Sequence, residues 1–203
     1  VVARRRSGLD GRGDAVVLCS EDAHVSLDKA LVVMGLPATA LQRLPVDAEG
    51  RLDTGMVEER VEDLRRRGIP VLAVVATAGT TVRGAIDPLA PLAALCRRQG
   101  HWLHVDGAIG AIAALSPTHR ARLDGLERAD SITVNPQKVL GITKTSSLLL
   151  LADPAALQET FATGLPYMEP SWGGGHGGEA GLQGTRAGEI LKLWLGLRQL
   201  GLE

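Results

Sequence analysis

The sequence predicts an α/β fold, a mainly parallel sheet flanked by helices. Two observations carry this. Short apolar runs alternate with helical patterns along the 203 residues, and runs such as Val71-Leu72-Ala73-Val74-Val75 are continuously apolar, as a sheet covered on both faces requires. Val1–Arg6 reads as the tail of a helix. A strand over Ala15–Ser20 follows, then a helix over Leu27–Met34 and a strand over Ala40–Val46. The helix over Thr54–Arg67 ends in three arginines before Gly68, where cations suit the negative end of the dipole. After a strand at Val71–Ala76, Gly79 and Gly84 read as turn glycines. Asp87-Pro88 reads as an N-cap and first-turn proline opening a helix over Pro88–Gln99. Strands at Trp102–Val105, Ser131–Val134 and Ser146–Leu151 come next, then a helix at Ala155–Ala162 and an amphipathic helix at Leu191–Leu200. Gly173–Gly178 is glycine-rich and reads as a loop.

Composition narrows the function. At 45% hydrophobic the chain can bury one substantial core, and its net charge of −1 with no long basic block disfavours nucleic acid and anionic membrane as partners. No apolar run is long enough to span a bilayer, and nothing resembles a signal peptide. Cys19 and Cys96 lie far apart without a CxxC partner, so they read as buried free thiols rather than a disulfide or metal site, which suits a reducing cytoplasm. Lysine is scarce: Lys29, Lys138, Lys144 and Lys192 are the whole set, which leaves few candidates for lysine chemistry.

Four polar segments follow strands: Ser20-Glu21-Asp22-Ala23-His24, Thr77-Ala78-Gly79-Thr80-Thr81, His104-Val105-Asp106-Gly107-Ala108 and Asn135-Pro136-Gln137-Lys138. In α/β sheets the chemistry collects at the carboxyl ends of strands. No GxGxxG or GxxxxGK[ST] motif follows a strand, which argues against a nucleotide-binding domain.

Together with their flanks, SEDAHVSLDKA, TAGTTVRGAIDP, WLHVDGAIGA, ADSITVNPQK and LKLWLGLRQLG resemble successive signatures of the group II pyridoxal-5′-phosphate (PLP) amino-acid decarboxylases, in order and over nearly the whole chain. The resemblance implies the large domain of the PLP-dependent transferase fold (fold type I). It places residues 1–203 in the central part of that domain, with a phosphate-loop segment before and a small domain after lying outside the sequence. It implies an enzyme that takes an L-amino acid to the amine and carbon dioxide and works as a homodimer. Lys138 is then the Schiff-base lysine, because only a lysine amine forms an imine with the PLP aldehyde. Asp106 keeps the pyridine nitrogen protonated. His24 stacks on the ring, and His104 supports Asp106 from behind. Ala108 leaves room for the ring, Thr81 (with Thr80 beside it) lies near cofactor and substrate carboxylate, and Asn135 and Gln137 approach the phosphate.

The chain departs from that pattern twice. Gln137 stands where the family carries histidine, and it can donate a hydrogen bond but cannot titrate. The stretch from about Glu169 to Gln183 has no tyrosine to return a proton to the substrate carbon; Tyr167 aligns before it, and His176 is the available acid. Two alternatives to simple decarboxylation therefore stay open: a same-fold PLP enzyme with another outcome (oxidative decarboxylation and deamination to an aldehyde, or lyase chemistry), and a non-catalytic protein of this fold. The substrate's identity is not readable from these residues.

Overall fold

The computed structural model describes residues 1–144, 146–165, 176–185 and 187–201. Six strands form one sheet in the order β2-β1-β3-β4-β5-β6, with β1 Val16–Ser20, β2 Leu41–Leu44, β3 Val71–Thr77, β4 Trp102–Asp106, β5 Ser131–Val134 and β6 Leu148–Leu151. All neighbours pair in parallel except β5 and β6, which are antiparallel. The predicted mainly parallel sheet is therefore present, with every predicted strand within a few residues of its place. Differences at the ends have local causes. Ala40 falls in a single 3-10 turn, Pro45 follows β2 without an N–H to pair, and β4 runs one residue further, through Asp106.

Helices cover both faces. On one side α3 (Thr54–Arg66) and α4 (Leu89–Gln99) bury Val57, Val61, Leu64, Leu92 and Leu95 against Val16, Leu18, Val74, Leu103 and Val105. On the other, α2 (Ser26–Val33), α1 (Val2–Arg6) and the segment after α2 cover Val17, Cys19, Ala73 and Val75 through Leu31, Ala3 and Leu36 respectively. Alternate residues of β1 serve opposite faces, as the two-residue period of a strand demands. The register slips between Val16 and Val17, so that Leu72 is an extra residue on β3 and packs on the same side as Ala73. The cysteines are free and buried, and burial pushes Cys19 up to about 11 and Cys96 up to about 12.

Caps follow the chemistry of the ends. Asp53 caps α3 by accepting from the N–H groups of Gly55 (2.7 Å) and Met56 (3.1 Å). Gly68, Gly79, Gly84 and Gly100 adopt positive φ where the chain reverses. The expected N-cap role of Asp87 is not what the fold gives: Pro88 holds the cap position of α4. Asp87 is instead 2% exposed, and its two carboxylate oxygens accept from the backbone N–H of Leu52 and of Thr77, each at 2.7 Å. Two buried backbone donors distant in sequence needed an acceptor, and that demand outweighs the local helix-start rule. The later helices are α5 (Pro136–Val139), α6 (Ala155–Phe161) and α7 (Ile190–Gln199). Among the described residues, no helix is long and apolar enough to cross a membrane.

Candidate active site

Strand order reverses at β1, since β2 lies on one side of it and β3 on the other. In open α/β sheets that switch point leaves a crevice beyond the carboxyl ends of the strands. A cleft of about 240 Å³ lies there, and its walls come from the segments after β1, β3, β4 and β5. His24, Thr81, Asp106, Ala108, Asn135 and Lys138 all line it. Gln137 does not; its Oε1 is buried without a hydrogen-bond partner among the described residues.

His24 follows β1 at the start of α2. Its Nδ1 accepts from the Ser26 N–H at 3.2 Å and lies 3.0 Å from the Ser26 hydroxyl. An Nδ1 used as acceptor leaves the neutral ring's proton on Nε2.

Asp106 ends β4. One carboxylate oxygen accepts from the Ala108 N–H at 3.1 Å, which pins the side chain at the cleft floor. Gly107 between them has no room for a side chain: a Cβ there would sit 2.3 Å from the Ala111 Cβ and 3.1 Å from the Thr133 carbonyl oxygen. Gly107→Ala is expected to destabilise the fold by about 1–3 kcal/mol, the usual cost of overpacking, and to displace Asp106. Chemical denaturation reads the first effect.

Beyond β5 the chain turns at Asn135-Pro136. Proline at the first helical position needs no N–H partner and has φ preset, so a single helical turn, α5, forms there. Lys138 is on that turn with its side chain exposed to the cleft, and its N–H donates to the Asn135 carbonyl at 3.0 Å. The Ser147 hydroxyl donates to the Asn135 Oδ1 at 2.6 Å. With its oxygen engaged, the Asn135 amide keeps its two N–H donors for a ligand.

His104 has different partners from those expected. Its Nδ1 lies 2.8 Å from the Ser131 hydroxyl and its Nε2 3.3 Å from that of Thr133, so both nitrogens turn to β5 rather than to Asp106. Burial lowers the imidazole below its ordinary value of 6.5, and Asp106 and Ser131 offset this only in part. Folding therefore favours the neutral ring. The stability this contributes is fully present above the ordinary value and is lost as pH falls through the lowered one. Thermal melting followed from neutral to mildly acid pH is expected to show that loss, and His104→Asn to flatten it.

Thr80 and Thr81 divide their duties. Thr80 is 3% exposed and its hydroxyl accepts from the Ala85 N–H at 3.0 Å, bracing the turn; Thr81 is exposed on the cleft wall. Tyr167 and residues 169–175 lie outside the described residues. His176 is described: its Nδ1 accepts from the Gly178 N–H at 3.0 Å.

Sequence reasoning did not single out Asp22, Thr77, Thr133 or Ser147, yet all four line the cleft. Thr77 and Thr133 stand inside the segments TAGTTVRGAIDP and ADSITVNPQK, but as strand hydroxyls they drew no role of their own. Their period-2 alignment with Asp106 on neighbouring strands was the available signal.

The chain matches the sequence model of the pyridoxal-dependent decarboxylase conserved domain over residues 6–203. It is 36% identical over 191 residues to an L-2,4-diaminobutyrate decarboxylase of Acinetobacter baumannii, covering 92% of this chain and 37% of that protein. Its fold superposes on the crystal structure of mouse CSAD with a TM-score of 0.90 at 33% identity, over 98% of this chain and 44% of that one. It superposes on the Rhodiola rosea 4-hydroxyphenylacetaldehyde synthase with a TM-score of 0.85 at 26% identity, over 99% and 43%. The chain thus spans less than half the length of the proteins it matches.

Proposed function

Because the chain belongs to the pyridoxal-dependent decarboxylase family, we propose that it carries the cofactor-holding floor of an enzyme converting an L-amino acid to its amine and carbon dioxide, with Lys138 as the residue that bonds PLP. The observation that carries this reading is the meeting of an amine, a carboxylate, an imidazole and an amide (Lys138, Asp106, His24 and Asn135) in one cleft at the switch point. That donor set fits PLP: an amine for the aldehyde, an acceptor for the ring nitrogen, a flat group for the ring face and amide donors for the phosphate. Thr77 lines the same cleft, and its buried hydroxyl, unpartnered among the described residues, adds a polar group at the cleft floor. When bound, PLP supplies an electron sink for the pair left as the carboxylate departs.

The protein's own residues do the rest. Asp106, fixed by Ala108 N–H, offers its other oxygen to a protonated ring nitrogen. His24, held by Ser26, presents a flat ring and an Nε2 proton beside the substrate carboxylate. Asn135, its oxygen tied to Ser147, turns its donors to the phosphate. Lys138, with its amine in the cleft, would move protons at the substrate carbon. Asp106→Asn is expected to weaken PLP binding and turnover by 10- to 1,000-fold, the order of a lost partner in a desolvated charge pair; cofactor titration and initial rates check it.

The experiment that tests the reading is borohydride reduction of the PLP-loaded protein followed by peptide mapping. Pyridoxyl on Lys138 supports it; pyridoxyl on Lys29, Lys144 or Lys192 sinks it. A second reading rests on the tyrosine-free stretch before Gln183 and on His176, the candidate acid, which spends its Nδ1 on Gly178. Without an acid at the substrate carbon, oxidation by dioxygen competes, giving an aldehyde, ammonia, carbon dioxide and hydrogen peroxide; the Rhodiola rosea relative is named as a 4-hydroxyphenylacetaldehyde synthase. Product analysis separates them: amine alone favours decarboxylation, aldehyde with peroxide the second reading. We also take the working assembly to be a homodimer, which sedimentation checks.

A further inference from the structure

Strands β4 and β5 share a polar ladder beneath the cleft. Trp102 Nε1 donates to the Ser131 hydroxyl at 2.9 Å, and an indole nitrogen can only donate. Ser131 is 6% exposed, and His104 Nδ1 at 2.8 Å is the one further partner recorded for its hydroxyl among the described residues. The Ser131 proton must therefore go to His104 Nδ1, since the opposite direction would leave it buried without an acceptor, a cost of about 1–3 kcal/mol. With Nδ1 accepting, the neutral His104 carries its proton on Nε2 and donates to the Thr133 hydroxyl at 3.3 Å. Thr133 thereby serves as acceptor to His104, and its own proton is left for another group.

Thr133 lines the cleft and is the register partner of Asp106 on β4. On the other side of Asp106 its register partner is Thr77, 5% exposed, a cleft-lining residue whose buried hydroxyl has no hydrogen-bond partner among the described residues. Two strand hydroxyls thus flank the carboxylate.

We propose that Trp102, Ser131, His104 and Thr133 form a one-way hydrogen-bond chain that commits the Thr133 hydroxyl proton to the cleft floor beside Asp106, making Thr133 a further cofactor-binding donor. The binding step rests on the PLP reading above; the direction of the chain does not.

Nitrogen-15 NMR of the histidine side chains in the PLP-free protein tests the direction. His104 is expected as a neutral ring protonated on Nε2. A ring protonated on Nδ1, or a cation at neutral pH, overturns the proposal. PLP titration tests the donor: Thr133→Val is expected to raise the dissociation constant roughly tenfold, the scale of one hydrogen bond to a charged or polar partner, while Thr133→Ser restores it. Equal affinities for wild type, Thr133→Val and Thr133→Ser overturn the donor role. If the wild type fails to take PLP on Lys138, the functional reading falls while the NMR result still decides the direction of the chain.

Discussion

On the proposed reading, Lys138→Ala is expected to abolish borohydride-trappable attachment of PLP and to lower turnover on the order of 10²–10⁴-fold or more, because the variant would lose the cofactor's covalent anchor and a proton-transfer group together. The fold should survive, since the Lys138 side chain is exposed and α5 is held by its proline and by the backbone bond to Asn135. Circular dichroism of the variant checks that, and peptide mapping after reduction checks the attachment. Residual labelling at wild-type stoichiometry would mean that a different lysine serves. Added small amines give a sharper comparison. Partial recovery of turnover in Lys138→Ala would assign the proton transfer to this position, since an amine diffusing into the cleft can replace chemistry but not an anchor.

Asp87→Ala is expected to have the largest effect on stability. Its carboxylate holds the Leu52 N–H and the Thr77 N–H, both in the interior. Removing it orphans two buried donors at about 1–3 kcal/mol each. A loss of roughly 2–5 kcal/mol is anticipated, seen as a lower urea midpoint, with Asp87→Asn between the two because its amide keeps one acceptor. Burial raises the Asp87 carboxyl above its ordinary 3.8, and the two backbone donors oppose that shift without cancelling it. Folding therefore binds this proton more tightly. The wild type's margin over Asp87→Asn is greatest below 3.8 and declines as pH rises through the raised value, after which it is flat. The Thr77 end of this clamp also reaches the site, because Thr77 borders the cleft.

The central strands β1 and β3 were legible because strands buried on both faces must be apolar nearly throughout, and that signal does not depend on distant partners. The lining of the cleft was legible where the sequence offered distinctive chemistry after a strand: the amine of Lys138, the carboxylate of Asp106 and the imidazole of His24, which the fold brings together. Residues whose role depends on tertiary partners were not. Asp87 precedes a proline and a helix, so the local rule made it a cap, while Leu52 and Thr77 supplied the demand that won. His104 stands two residues before Asp106 and invited a pairing with it, but Ser131 and Thr133 arrive on the adjacent strand and take both nitrogens. Ser147 sets Asn135 from twelve residues away, across a turn that no periodicity announces.

The strand order also bears on how the molecule is made. β3 joins the free edge of β1, and from β4 onward each new strand joins the edge left by the strand before it, so the sheet can accrete in the order of synthesis. Only β2 is laid on the other side, against a β1 already present. The lysine turn emerges directly after β5, when every strand that walls the cleft has been made. A chain stalled earlier would hold the carboxylate and the imidazole but not Lys138, so on the proposed reading competence for the cofactor is reached late, after the scaffold can already have formed.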